Sequence, residues 1–386
     1  MPGVSFSDNG GMTSASHSSD SAEPFEGLRI RGVAKTFGTD TTVLNEIDLD
    51  VHPGELISLV GSSGTGKSTL LRIIAGLEEP SAGRVTYAGQ PLERGSVGVV
   101  FQRPILYPHL SVKDNILFPT RLGAFAGRVD MDYYRELLEA LKLDGLESRK
   151  PSQLSGGQAQ RVGIARALIR RAPVVLFDEP LASVDEEMSA SIRADIVRLH
   201  ERYGFTGLYV THDQNEALML GQRVAVMDAG YLVQVDTPEH LLAHPHTLQV
   251  AKLMAAPALN LVALEDSAVL PAGCQLAIRA TALCPVAADA AHSLPVQVLG
   301  SRHLVGGMLY RARLLEAVSL PLESRRASAD SEPSDRVYAR VRAGQELEFF
   351  IPDAQSGSSL NVGDRVHLGV AAERCFVFSN GKRFYL

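Results

Sequence analysis

Residues 55–77 read ELISLVGSSGTGKSTLLRIIAGL, and this stretch decides the fold. Residues 56–60 form an apolar run of the kind that makes a buried strand. The run breaks at Gly61, and after Lys67 the apolar residues Leu70, Leu71, Ile73, Ile74 and Leu77 recur at helical spacing. Between strand and helix sits GSSGTGKST, which fits the phosphate-loop pattern G-x-x-x-x-G-K-[ST]. Glycines let the backbone curl so that successive N–H groups point inward as a nest for phosphate oxygens, and the helix N-terminus adds partial positive charge. Lys67 is placed to reach the β- and γ-phosphates, and the Ser68 hydroxyl to sit on Mg²⁺. A plain glycine-serine turn is the bland alternative, and the strand-loop-helix context weighs against it. The stretch predicts a nucleoside triphosphate site.

Outward from this centre, 386 residues are enough for two or three domains. The chain is 45% hydrophobic and 21% charged, the composition of an ordinary globular protein. A net charge of −7 argues against nucleic acid as the main partner. No apolar run is long enough to span a bilayer, and the N-terminus has neither the basic start nor the apolar segment of a secretory signal. Residues 1–27 read as a solvated tail, disordered to about Pro24. Cys274, Cys284 and Cys375 lack metal-ligand spacing and read as reduced thiols of a cytoplasmic protein.

Residues 28–37 and 43–51 alternate as antiparallel strands leading into the loop. Phe37 is either a core residue or a stacking surface for a purine. Short strands are expected at 83–89 and 97–101, the latter ending at Gln102. From Pro104 to about Gln153 a mostly helical insertion is expected, with 133–143 its clearest amphipathic segment. LSGGQAQR then spans residues 154–161, where Ser155 and Gln158 have capping-box spacing and start a helix. Val162, Ala165, Leu168 and Ile169 give that helix an apolar face; Arg170 and Arg171 close it, and Pro173 stops it. Gly156 and Gly157 each cost about 1 kcal/mol of helix stability relative to Ala, which makes sense if something, such as a phosphate, approaches the backbone closely.

Residues 174–177, VVLF, read as a central parallel strand with Asp178 and Glu179 at its carboxyl end. Two acids after a strand are commonly a solvated turn. Downstream of a phosphate loop, Asp178 fits an outer holder of Mg²⁺ and Glu179 the base that orients the attacking water. Residues 208–210 make another buried strand, and His212 at its end is assigned to the γ-phosphate. Residues 223–227 and 231–235 read as a hairpin, and Thr237-Pro238-Glu239 as a helix start. After about Val250, β-like runs at 275–279, 295–299, 308–315, 336–341, 346–351 and 365–370 suit a small all-β barrel or sandwich. The polar stretch 321–335 is expected to interrupt it as a mobile loop.

With the phosphate loop, Gln102, LSGGQ, VVLFDEP, Asp185 and His212 in this order, the chain from Leu28 onward resembles an ATP-binding cassette ATPase of ABC transporters. The resemblance implies an α/β fold: a P-loop NTPase cassette over 28–250 with a helical subdomain at about 104–153. A C-terminal all-β OB-like (TOBE) domain over 251–386 follows. It implies ATP and Mg²⁺ as cofactors and a head-to-tail dimer with a second copy or a close relative. By this resemblance Phe37 stacks on adenine, and Gly61, Ser62, Ser63, Gly64, Thr65, Gly66, Lys67, Ser68 and Thr69 hold the phosphates. Gln102 senses Mg²⁺ and the attacking water. Ser155, Gly156, Gly157 and Gln158 belong to the partner's nucleotide site, the first three capping its γ-phosphate. Asp185 communicates across the dimer, and His212 holds the γ-phosphate. Two departures are Ala159, where a basic residue is common, and ASVDEE around Asp185, where SNLDA is more usual.

Residues 103–119 resemble a surface that receives a coupling helix from a membrane permease. The junction Ala256-Pro257-Ala258-Leu259-Asn260 and the terminal strand pair resemble those of carbohydrate and glycerol-phosphate importer ATPases. The implied function is the peripheral, cytoplasmic-face ATPase of an importer, with carbohydrate as the favoured cargo and a solute-binding protein as an indirect partner. Polyamine, iron and oxyanion import are the alternatives within the class. A soluble cassette ATPase of DNA repair or translation is the alternative outside it. A further reading, compatible with import, makes the tail a regulatory module for a small ligand or an inhibitory protein.

Overall fold

Parallel strands bury both faces and need long crossovers, so the apolar runs of this chain collect in one central sheet flanked by helices. The computed structural model describes residues 25–121, 129–265, 270–271, 273–290, 292–322, 337–355, 359–370 and 374–384. The expected disordered tail to Pro24 lies outside them, as does the expected mobile loop apart from Pro321 and Leu322.

The chain opens with β1 (Leu28–Phe37), β2 (Thr41–Val51), β3 (Leu56–Val60), α1 (Lys67–Ile74), β4 (Ala82–Tyr87), β5 (Gln90–Pro91) and β6 (Gly98–Val100). Next come α2 (Val112–Leu117), α3 (Met131–Ala140), α4 (Gly156–Leu168), β7 (Val174–Asp178), α5 (Glu186–Tyr203), β8 (Thr206–Thr211) and α6 (Gln214–Leu220). The hairpin β9 (Arg223–Asp228) and β10 (Tyr231–Asp236) leads to α7 (Pro238–Ala243) and α8 (Leu248–Leu253).

The central sheet has the order β10-β9-β3-β8-β7-β6, parallel except for β10. Its side chains alternate between two cores. Ile57, Leu59, Val174, Leu176, Leu208 and Val210 pack with α1 and the antiparallel sheet β2-β1-β4-β5. Leu56, Val175, Phe177 and Tyr209 face the other way, onto α3, α4 and α5. Between Pro104 and Gln153 the described residues hold α2, α3 and two 3-10 turns, with 122–128 outside them.

The C-terminal part contributes β11 (Leu259–Ala263), β12 (Gln275–Arg279), β13 (Leu283–Val286), β14 (Leu294–Leu304), β15 (Gly307–Leu314) and β16 (Val318–Leu322). It ends with β17 (Val337–Val341), β18 (Glu346–Pro352), β19 (Arg365–Val370), β20 (Cys375–Ser379) and β21 (Lys382–Phe384). These form the sheets β11-β12-β20-β21, β13-β19-β14-β15-β18 and β16-β17 around their own core, an OB-like all-β arrangement. Three strands escaped the sequence reading: β11, β13 and β16. Pro285 sits on an edge strand and Pro321 in a two-stranded pair, places where a missing N–H is tolerated. Pro321 and Leu322 are therefore strand, not loop. The three cysteines are free.

Helix α8 is shared between the two parts. Val250 and Met254 pack against Val60 and Val224, whereas Ala251 packs against Ala277, Phe376 and Phe378. Backbone bonds from Leu248 N to Gly381 O (2.8 Å) and from Arg383 N to His246 O (2.9 Å) fasten β21 beside it. Among the described residues no helix is long and apolar enough to cross a membrane.

Candidate functional site

Four strands that are far apart in the chain lie side by side as β3-β8-β7-β6, all parallel, so their carboxyl ends open on one edge. At that edge stand the phosphate-type loop after β3, His212 after β8, Asp178 and Glu179 at the end of β7, and Gln102 after β6. Ligand sites of open α/β sheets form at this edge because the loops there are free to vary while the strands fix their spacing.

The loop turns on Gly66, whose φ of 98° caps α1 in the left-handed region. A Cβ there would lie 2.7 Å from Leu44 Cδ2 and 2.8 Å from the Val43 carbonyl oxygen. Inside the turn the Lys67 ammonium donates to the carbonyls of Gly61 (2.7 Å) and Ser62 (2.9 Å), and Thr65 Oγ1 donates to Ser62 O (3.0 Å). Lys67 is buried, and burial lowers its pKa; the negative charges of Glu179 and Asp178 oppose that shift. Ser68 Oγ, on the first turn of α1, donates to Asp178 Oδ1 at 3.3 Å. Burial is also the main reason the Asp178 carboxyl is held above its usual range, with the Ser68 bond pulling the other way and the Glu179 charge adding to the rise.

Glu179 adopts a φ of 44°, uncommon for a residue with a side chain, and its N–H is held by Val210 O at 2.9 Å. This turn sets its carboxylate Oε2 3.0 Å from His212 Nδ1. Lys67, Ser68, Asp178, Glu179 and His212 thus form one cluster. Among the described residues no three His, Cys, Asp or Glu side chains gather as a metal cage. Ser68 and Asp178 are instead a hydroxyl and a carboxylate, hard oxygen donors that suit Mg²⁺ when phosphate oxygens and water complete its shell.

The other expected residues stand apart from this cluster. Phe37 is 43% exposed at the end of β1, with Lys35 Nζ 4.9 Å from its ring centroid. Gln102 is exposed; its neighbour Phe101 accepts a bond from Gln160 Nε2 (3.2 Å), which ties the end of β6 to α4. Ser155 caps α4 with the expected capping box: Gln158 N donates to Ser155 Oγ and Ser155 N to Gln158 Oε1. Asp185 caps α5, accepting from Met188 N at 2.9 Å. Among the described residues no hydrogen bond or ion pair joins Ser155, Gln158 or Asp185 to the cluster.

The two glycines of the signature differ. A Cβ on Gly156 would meet nothing within 4 Å, whereas one on Gly157 would lie 2.6 Å from the Met188 side chain. The close approach inferred at Gly157 is therefore made, within this chain, by α5; Gly156 is the open position.

Two features were missed. Glu216 is buried below the His212 turn and accepts from Tyr209 OH (3.1 Å) and Thr211 Oγ1 (2.8 Å), and Asp213 N donates to that same Thr211 oxygen. Arg161, the last residue of LSGGQAQR, reaches Asp195 on α5 at 2.9 Å and donates to Ser191 Oγ at 2.8 Å. A polar residue inside an otherwise apolar helix face was the available signal for Arg161.

The comparisons agree with this geometry. A family profile described as ABC transporter matches residues 44–182. The sn-glycerol-3-phosphate import ATP-binding protein UgpC 1 of Rhizobium johnstonii is 44% identical over 241 residues, covering 61% of this chain and 65% of that protein. UgpC of Salmonella typhi is 42% identical over 266 residues, covering 66% of this chain and 74% of that protein. The match thus spans about two thirds to three quarters of these relatives' length. Among solved structures, cbiO1 from Clostridium perfringens, part of the ABC transporter complex cbiONQ, aligns with a TM-score of 0.51 at 27% identity. That alignment covers 57% of this chain and 92% of cbiO1. Strand-end geometry, family profile and relatives lead to one conclusion: the chain belongs to the ATP-binding cassette ATPases of the ABC transporter family.

Proposed function

We propose that this cassette is the Mg²⁺-dependent ATPase subunit of an import system, peripheral on the cytoplasmic face of a membrane. The favoured cargo is a carbohydrate or a sugar-alcohol phosphate such as sn-glycerol 3-phosphate. The observation that carries the ATPase reading is the cluster of Lys67, Ser68, Asp178, Glu179 and His212 on one sheet edge. The cargo reading rests on the names of the UgpC relatives and on the C-terminal strands.

In this reading the curled backbone of residues 61–69 grips the phosphates, and Lys67 exchanges its two loop carbonyls for β- and γ-phosphate oxygens. Ser68 and Asp178 would hold Mg²⁺, with Gln102 beside it, to neutralise phosphate charge. Glu179 takes a proton from the attacking water, and His212, 3.0 Å away, orients that carboxylate and meets the γ-phosphate. Phe37, exposed beside Lys35, stacks on the base. Ser155, Gly156, Gly157 and Gln158 serve the site of a second copy, with Asp185 between them. The exposed tip at Ser155 and Gly156 supports this head-to-tail pairing. Membrane permease subunits receive the motion, and a solute-binding protein delivers cargo to them. The cassette comprises residues 28–250 and the accessory domain 251–386, with α8 seated on both cores.

The test is Glu179→Gln. It should retain ATP binding, lower turnover by about 10²- to 10⁴-fold, and accumulate nucleotide-bound dimers in light scattering. Turnover within threefold of the parent protein would remove Glu179 from its role. For the cargo, the cassette reconstituted with its permease should hydrolyse ATP faster when sn-glycerol 3-phosphate is supplied with the binding protein. No response to that compound or to sugars would refute the cargo.

A further inference from the structure

A cavity of about 580 Å³ lies where α6 and α7 meet the C-terminal strands. Leu218, Glu239 and His244 line one side; Arg279 at the end of β12, Arg374 just before β20, and Phe376 on β20 line the other. Arg279 is the unusual member. Its Nε and Nη2 are sealed from solvent, and neither has a hydrogen-bond partner among the described residues. Among the described residues the charges that act on it are further cations, Arg383 and Arg374. Burial first, and then the charges of Arg383 and Arg374, lower its pKa to about 10, so it stays charged at neutral pH.

The face of Phe376 offers this charge some relief, with the Arg279 guanidinium 5.1 Å and that of Arg383 4.4 Å from the ring centroid. Glu239 is the only carboxylate among the described lining residues, and it forms no ion pair with Arg279. Proteins rarely bury a charge without pairing it, because an uncompensated ion is costly away from water. A cavity beside such a charge, next to a second exposed arginine, is built for an anion. Guanidinium forks match phosphate geometry, and two arginines balance a dianion better than a carboxylate's single charge. The cavity is far larger than a bare phosphate ion, and Leu218 and Phe376 give it apolar walls for a carbon skeleton.

We propose that this junction cavity is a binding site for a small organic phosphate, with Arg279 and Arg374 as its charge partners. It is separate from the nucleotide site and does not depend on which cargo is imported. Gln214, Asn215 and Thr281 on its walls supply hydrogen bonds for the remaining oxygens. Because the walls come from both parts of the chain, an occupant holds α6 and α7 against the C-terminal sheet.

Calorimetric titration of the nucleotide-free full chain tests this. Three probes are used at constant ionic strength: sn-glycerol 3-phosphate, inorganic phosphate and acetate. One molecule of sn-glycerol 3-phosphate per chain should bind, more tightly than either simple anion. Arg279→Gln and Arg374→Gln should each weaken it about tenfold or more. Lys67→Ala, which disables the phosphate loop, should leave it unchanged. Arg374 is exposed, so its variant keeps the test independent of any folding defect at Arg279. Absent binding, undiminished binding in Arg374→Gln, or loss of binding in Lys67→Ala would overturn the proposal. Equal affinity for inorganic phosphate would overturn the organic part of it.

Discussion

Replacing Arg161 by Met should unfold this protein more readily than its position on a helix suggests. Asp195 is wholly buried and the Arg161 side chain is 9% exposed, with 2.9 Å between Nη2 and Oδ2. The contact is Coulombic: Arg161 Nη2 donates to Ser191 Oγ, and among the described residues neither Arg161 Nε nor Asp195 Oδ2 has a hydrogen-bond partner. Two other cations reach Asp195, Lys142 at 3.7 Å and Arg198, but their side chains are 56% and 59% exposed and therefore screened. Breaking a buried pair costs about 3–5 kcal/mol because one charge is left uncompensated. The two residual cations put Arg161→Met at the low end, about 3 kcal/mol. At about 2–4 °C per kcal/mol, that lowers the melting temperature by roughly 6–12 °C. The double variant Arg161→Met/Asp195→Leu should come back to within about 1 kcal/mol of the parent protein, because a poorly bonded buried pair contributes little net stability. Urea unfolding followed by circular dichroism measures both. A loss below about 1 kcal/mol in the single variant, or a double variant as unstable as the single, would refute the reasoning.

Other perturbations give equally direct readings. Gly66→Ala forces a Cβ into Leu44 and the Val43 carbonyl at a φ of 98°, so nucleotide binding should disappear in a filter assay, with about 1–3 kcal/mol of strain. The pKa of Asp178 is raised in the fold, so its protonated form stabilises the folded state. That stability is present below the ordinary carboxylate range and is lost as pH rises through the raised value. Asp178→Asn should therefore melt higher than the parent near pH 7 without nucleotide, the difference shrinking as the pH falls, while Mg²⁺-ATP affinity drops. A lower melting point at pH 7 would contradict this. Asn260 is buried; it donates to Ile278 O (3.1 Å) and Glu348 O (2.8 Å) and accepts from Glu348 N (2.6 Å), pinning two C-terminal sheets together. Asn260→Ala should cost about 2–3 kcal/mol in urea unfolding by leaving these groups unpaired.

Much of the cassette was legible because its signals are local. The strand 56–60, the loop glycines, the capping box at Ser155 and Gln158 and the hairpin after Arg223 depend on residues within a turn or two of one another. The proline-bearing strands β13 and β16 were not legible, because only their position at a sheet edge or in an isolated pair makes proline acceptable there. Nor was the partner of Gly157: the glycine cost was visible in the helix, but Met188 lies 31 positions away and reaches it only when α5 folds back.

By itself, the sequence marked out the candidate site residues, since a phosphate loop, adjacent acids after an apolar strand and a capped glycine helix are short-range patterns with few other uses. The tertiary structure alone decided that the ends of β3, β8, β7 and β6 are neighbours, that Glu179 meets His212, that Arg161 is answered by Asp195, and that Arg279 Nε and Nη2 have no hydrogen-bond partner among the described residues. Those facts depend on strand order and helix packing between segments from about 30 to about 150 residues apart in the chain. No local periodicity encodes them, because contact between distant segments is settled by which faces must be buried together.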